Sequence, residues 1–247
     1  SSFLSLNYLK QDGIIVNSDA ERFGIRANLE YTVNTWFKIG SRLSYTRKNS
    51  SEPYDLGRTF DMQAGASPFI APYTRDGRFG SVEAIAEDGT LLYDNRNALI
   101  DASNGAKKTF QDYMSLNAFA TVDFTKDLNL QVTWSSTGNW KLTDRYNETI
   151  YGYTDSGMET VTRNYNREGL EMSREQISTM RNNFHATLNY SKKIVAKHYV
   201  AGILGMQLEN YNVKNVFARR SDPAKEGLTQ VDAGTNGIQG EGNMEGL

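Results

Sequence analysis

From Phe23 to Val33 the odd positions carry Phe23, Ile25, Ala27, Leu29, Tyr31 and Val33, while Gly24, Arg26, Asn28, Glu30 and Thr32 lie between them. Successive side chains on a β-strand point to opposite faces, so this segment reads as a strand with one oily and one wet side. After Asn34-Thr35-Trp36 the alternation resumes, with Phe37, Ile39, Leu43 and Tyr45 set against Lys38, Gly40, Arg42, Ser44 and Thr46. The two runs predict an antiparallel hairpin with a single apolar surface.

The device recurs twice. Met114, Leu116, Ala118, Ala120, Val122 and Phe124 alternate with polar neighbours up to Thr125-Lys126-Asp127, and Leu128, Leu130, Val132 and Trp134 continue the pattern. The third hairpin places Phe184, Ala186, Leu188 and Tyr190 on one face, turns through Lys192 to Lys197, and returns with Val200, Leu204, Met206 and Leu208. Long loops at 47–109 and 136–181 lie between hairpins, and a third at 212–247 follows the last one. Short turns at one end and long loops at the other are what an up-and-down barrel in a bacterial outer membrane produces, with the long loops outside the cell. Strands at Ser2–Leu9, Arg22–Val33, Phe37–Thr46, Tyr113–Phe124, Leu128–Ser135, Asn182–Ser191 and His198–Tyr211 amount to about seven, and single-chain bacterial barrels use even numbers. The glycine-rich stretch from Gly234 lacks any strand pattern. We therefore expect an all-β, antiparallel transmembrane barrel segment, whose missing strands come from elsewhere in the parent protein or from a second chain.

Aromatic residues locate the membrane boundaries under this reading. Trp36, Phe37, Phe124, Tyr190 and Tyr199 sit near the short turns and suit the lower interface, while Tyr45 and Trp134 mark the upper one. A mean hydropathy of -0.58 does not oppose this, because only alternate strand residues face lipid. No apolar run is long enough for a transmembrane helix, which takes about 18 residues or more. A soluble β-sandwich that binds carbohydrate is the main alternative, since its strands alternate in the same way. Loop asymmetry favours the barrel. So does strand reach, because roughly 9–11 tilted residues cross the hydrocarbon.

The 27 basic and 29 acidic residues are well mixed, which leaves no basic field for nucleic acid, and the absence of cysteine removes thiolate chemistry. His185 and His198 flank one turn without carboxylates at metal-ligand spacing, and there is no nucleophile elbow, P-loop or HExxH helix. No enzyme, cofactor or metal is expected. Glu168, Glu171 and Glu175 with Arg167 and Arg174 read as a solvated strand or short loop helix. The sequons at Asn49, Asn147 and Asn189 carry no weight, the last lying inside a strand. Three of the four prolines (Pro53, Pro68, Pro72) fall in the first long loop, where short strands are expected near Phe79–Ile85 and Thr90–Tyr93. In the second loop Trp140, Tyr146, Tyr151, Tyr153 and Tyr165 stand among Asn, Thr and Gly, a composition that suits stacking on sugars or peptides and equally suits packing of loop on loop. Ile150, Gly152 and Thr154 alternate with Tyr151, Tyr153 and Asp155, so strands extend beyond the membrane there.

The series Tyr8-Leu9-Lys10-Gln11-Asp12-Gly13-Ile14-Ile15, then Ser18, Arg22, Arg26 and Asn28, then Trp36-Phe37-Lys38-Ile39-Gly40, resembles the early barrel strands of SusC-like TonB-dependent transporters. Lys126-Asp127-Leu128-Asn129-Leu130 and His198-Tyr199-Val200-Ala201-Gly202 continue the resemblance in order. Asn97-Ala98 departs from it, standing where such proteins often have Asn-Pro. The resemblance implies a barrel of about 22 strands filled by an N-terminal plug. It also implies energy from TonB, a SusD-like surface lipoprotein over the loops, an outer-membrane location, and import of oligosaccharides or peptides. This chain matches an early to middle portion, without plug or C-terminal strands, and no residue is assigned to ligand contact. A passive porin is the alternative within the membrane class.

Overall fold

A computed structural model describes residues 1–246, apart from 67, 86, 90, 95, 96, 158, 161–169, 196, 197 and 224–229. Eight long strands form one antiparallel sheet in chain order: β1 (Ser2–Asp12), β2 (Asp19–Asn34), β3 (Phe37–Glu52), β6 (Ala106–Thr125), β7 (Leu128–Tyr146), β10 (Glu171–Val195), β11 (His198–Pro223) and β12 (Gly234–Gly246). The first long connection holds α1 (Leu56–Gly65), the two-stranded pair β4 (Val82–Ile85) and β5 (Leu91–Asp94), and α2 (Ala98–Ser103); the second holds β8 (Gly152–Tyr153) and β9 (Glu159–Thr160). Every neighbour in the large sheet is antiparallel, as in a meander whose ends remain open.

The register confirms the two faces. Leu4, Ala27, Leu43 and Leu116 are successive partners across four strands, as are Leu130, Leu188 and Leu204 across three. Directly opposed residues share a face, so these rows build one continuous apolar surface. No described residue covers it: Leu4 is 68% exposed, Leu29 57% and Leu204 72%. In a sandwich this surface would meet a second sheet. Among the described residues the only other sheets are the two-stranded pairs β4/β5 and β8/β9 of the loops, neither of which packs on this surface, and the soluble β-sandwich reading does not hold. Above the apolar band the same face turns ionic, with Lys10–Glu21, Arg47–Asp112 and Arg174–Asp144 at 3.7, 2.7 and 2.6 Å. The opposite face carries amide and hydroxyl ladders, such as Gln111–Asn139 and Asn129–Asn189, both at 2.9 Å.

The lower end is tightly closed. Asn34 accepts from the Trp36 N–H at 3.1 Å and Thr125 from the Asp127 N–H at 3.2 Å, so a polar side chain folds each two-residue turn. A register shift accompanies these turns, at Thr32/Asn34, Asp123/Thr125 and Lys193/Val195. The longest strand has 26 residues, roughly 86 Å at 3.3 Å per residue, about two and a half times what a tilted strand needs to cross hydrocarbon. Strands therefore stand well clear of the apolar band at the long-loop end.

That reach corrects the expected loop limits. β3 continues to Glu52, β6 starts at Ala106, β7 runs to Tyr146, β10 starts at Glu171 and β11 ends at Pro223. Away from lipid neither face has to be apolar, so the alternation fades while the backbone ladder continues. Gly234–Gly246, expected to lack structure, forms β12 and makes the strands eight, pairing for example Phe217 with Glu241. A ladder needs only N–H and C=O groups, which a glycine-rich segment supplies without any side-chain signal. One aromatic placement changes as well: Tyr199 pairs with Lys193 on the polar face and is not in the lower girdle. Trp134 and Tyr45 top the apolar band as expected, but in mid-strand rather than at the strand ends. One glycine has a visible purpose: Gly40 lies under the Phe119 ring, where any Cβ would collide, and Arg42 stacks on that ring at 5.0 Å.

Candidate functional site

The two long connections fold into one layer at the upper end, attached to the polar face of the sheet. Pro53, among the most buried side chains, leads from β3 into Tyr54. The Arg145 guanidinium donates to the Tyr54 carbonyl at 3.0 Å and covers its ring at 5.0 Å, and the Tyr54 hydroxyl reaches Glu171 at 3.4 Å. Glu171, only 6% exposed, also pairs with Arg219 at 2.5 Å. The first loop is thereby tied to β7, β10 and β11 at once.

Asn97 organises the centre of the layer. Its amide donates to the carbonyls of Pro72 and Gly80 at 2.9 and 3.0 Å, and its oxygen accepts from the Leu99 N–H at 3.0 Å as the N-cap of α2. Sequence reading noted Asn97 only for the missing proline after it. Ala98 is the first helical residue, where proline is well tolerated, and Asn97 has the extended backbone (φ -96, ψ 109) that a residue before proline prefers. We expect Ala98→Pro to leave the fold intact and to raise stability by about 0.4–1 kcal/mol, read from denaturant midpoints. α2 ends at Ser103, and just beyond its cap Asn104 comes Gly105, whose φ of +74 and tight approach to the Tyr146 carbonyl exclude a side chain.

Asp55 caps α1 by accepting from the Arg58 N–H at 3.0 Å, and Arg58 turns to Asp101 of α2 at 2.6 Å. Burial pushes the Asp101 carboxyl above its usual range against the pull of Arg58, whereas the Thr74 hydroxyl, with Arg78 behind it, holds exposed Asp76 below. Ionised Asp76 thus favours the folded 73–79 turn above pH 3.8, a contribution lost as pH falls through its lowered value. Asp101 has the opposite sign: its site gains stability as pH falls through the raised value towards 3.8. Carboxyl NMR should find the two titrating on opposite sides of 3.8, Asp101 above and Asp76 below.

The second loop docks on the first. Tyr153 donates its N–H to Phe79 at 2.7 Å and accepts from Ser81 at 2.9 Å, while Arg78 covers its ring at 3.9 Å. Of the aromatic candidates, Tyr153 is thus used in loop packing. Trp140 and Tyr146 belong to β7, on its outward face, and Tyr165 lies outside the described residues. Tyr151 remains 37% exposed in the layer. Glu171, Arg174 and Glu175 are strand residues of β10, and Arg167 and Glu168 lie outside the described residues. His185 lies on the polar face beside Thr187 at 3.0 Å, and His198 starts β11 at the lower turn. Asn147, of the second sequon, is buried and accepts from the Glu171 N–H at 2.5 Å. Among the described residues no cluster of three or more His, Cys, Asp or Glu has metal-binding geometry.

Beside α1 and α2 the corner between β1 and β2 completes a pocket of about 610 Å³, lined by Ile15, Val16, Phe60, Ile70, Leu99 and Ala102 among others. Gly13 and Ser18 close that corner with a 2.7 Å hydrogen bond, Asn17 adopts a positive φ of 62, and its amide donates to the Ala102 carbonyl at 3.2 Å. Ile14 projects fully into solvent at the rim. The size and apolar lining suit one or two side chains of a ligand or partner rather than any reaction. Its sequence signal is the apolar run Ile14-Ile15-Val16 at a tight corner, of which Ile14 and Ile15 end the first part of the family-like series.

No family model matches the chain. A TonB-dependent receptor, P3, from Formosa agariphila is 28% identical over 140 residues, which are 53% of this chain and 13% of that protein. The solved RagAB peptide transporter superposes on 99% of this chain with a TM-score of 0.72 and 18% identity, and the RagAB peptide importer in its open-open state with 0.75 and 17%. The chain spans 27% and 26% of those structures, respectively. The fold is that of a stretch of such a barrel, and the resemblance to SusC-like TonB-dependent transporters read from the sequence holds.

Proposed function

We propose that this chain is the barrel-wall and surface-loop portion of an outer-membrane active transporter, importing oligosaccharides or peptides with TonB-derived energy. The observation that carries this reading is a single meandering sheet with an uncovered apolar face, a polar opposite face, and its large loops gathered at one end. Such a sheet is stable only when hydrocarbon covers the apolar side and further strands close its edges. The rest of the barrel and its plug belong to the parent protein, and residues 1–247 form one part of its barrel domain. The loop layer, with its apolar pocket and exposed Ile14 and Tyr151, faces outward, where a SusD-like lipoprotein would dock and hand over cargo. The RagAB structures, described as a peptide transporter and importer, support the peptide option.

Uptake of labelled peptide and oligosaccharide mixtures by cells expressing the intact parent tests the proposal. Uptake should stop when TonB is deleted. Uptake that continues without TonB would identify a passive porin instead.

A further inference from the structure

Several charges on the polar face are neutralised within the wall. Arg181 pairs with Glu209 at 3.5 Å, Arg219 with Glu171 at 2.5 Å, and Lys107 with Glu52 at 2.5 Å. The β2–β3 hairpin is different. Arg22 stands directly opposite Lys48, and Arg26, opposite Ser44, is diagonal to Arg42, which lies two residues from Ser44. All four side chains are exposed on that face, and none has an acidic partner among the described residues. Their flanking register partners are Leu9 and Ser5 on β1 and Gln111 and Asn117 on β6, which carry no charge. Glu30, two residues beyond Asn28, the partner of Arg42, makes no ion pair with any of them.

Like charges placed opposite each other weaken a sheet. This hairpin nevertheless keeps one directly opposed pair, Arg22 and Lys48, and one diagonal pair, Arg26 and Arg42, roughly 13 Å apart along β2 at 3.3 Å per residue, with no acidic register partner beside either pair. We propose that these pairs form a binding track for a linear, carboxylate-bearing cargo, each pair taking one carboxylate as it passes along the lumen. Guanidinium groups suit that role through paired, charge-assisted hydrogen bonds. The inference rests on the transport reading above and names the cargo chemistry for it.

Equilibrium binding to the purified full-length parent tests it, with hexaglutamate against hexaglutamine, and hexagalacturonate against maltohexaose. At least one acidic probe should bind about tenfold more tightly than its neutral counterpart, with a preference that fades in high salt. The arm that shows it identifies the source of the carboxylates. Two double variants, Arg22→Gln with Lys48→Gln and Arg26→Gln with Arg42→Gln, should each remove most of the preference. Heat-modifiable migration on gels confirms that they fold. Equal binding of acidic and neutral probes, or a preference that survives both variants, overturns the track. So does a leak conductance in the variants with unchanged probe preference, which would mean the cations instead hold an acidic part of the barrel's own filling. Failure of TonB-dependent uptake with the acidic preference intact would strike the transport reading alone.

Discussion

Val132→Arg is expected to destabilise the parent barrel by about 2–4 kcal/mol in lipid vesicles, while Gln131→Arg, one residue away, stays within about 0.5 kcal/mol. Val132 lies on the apolar face between Ala120 and Ala186, near the middle of the band. A guanidinium there must be dragged into hydrocarbon or bend its way to an interface. Gln131 lies on the polar face, between Thr121 and Thr187, where a cation keeps its hydration. Chemical unfolding in vesicles measures the difference. Equal costs at the two positions would mean that the faces are not solvated differently.

The hairpin core was legible because lipid and lumen impose opposite demands on neighbouring residues. Phe23 to Val33 obeys both and could be read residue by residue. Where only water lies on both sides, as in β7 beyond Trp134 or β10 before Asn182, hydrogen bonding continues but no longer leaves a two-residue period. The same loss hid β12, whose glycines contribute backbone and no pattern. In the loop layer the difficulty was different: Asn97 bonds Pro72 and Gly80, distant in sequence, and nothing local announces those partners. Tyr153 looked like a ligand platform from composition and is instead held by Arg78. Trp140 looked like a loop residue because the strand around it has no apolar period.

The second large effect concerns Asn97. Asn97→Ala should destabilise the loop layer by roughly 2–4 kcal/mol, combining loss of the α2 cap with a buried Gly80 carbonyl that loses its Asn97 donor, while the Pro72 carbonyl keeps the Gly80 N–H at 3.2 Å. Because the sheet carries its own ladder, the effect is local: hydrogen exchange should accelerate across 70–105 while β6 and β7 stay protected. Asn97→Asp separates the two causes. A carboxylate can still cap Leu99, but it brings oxygen against the Pro72 and Gly80 carbonyls. If the donors matter as argued, Asp rescues little of the loss; full rescue would assign the effect to capping alone.

All of this depends on hydrocarbon covering the apolar face. Spin labels placed singly from 23 to 33 along β2 of the intact parent in vesicles report that face directly, through accessibility to oxygen, which concentrates in lipid, and to a water-soluble nickel complex. The account predicts a period of two, with 23, 25, 27, 29 and 31 accessible to oxygen and shielded from nickel, and the even positions not. Oxygen accessibility without alternation, or nickel reaching the odd positions, would contradict it.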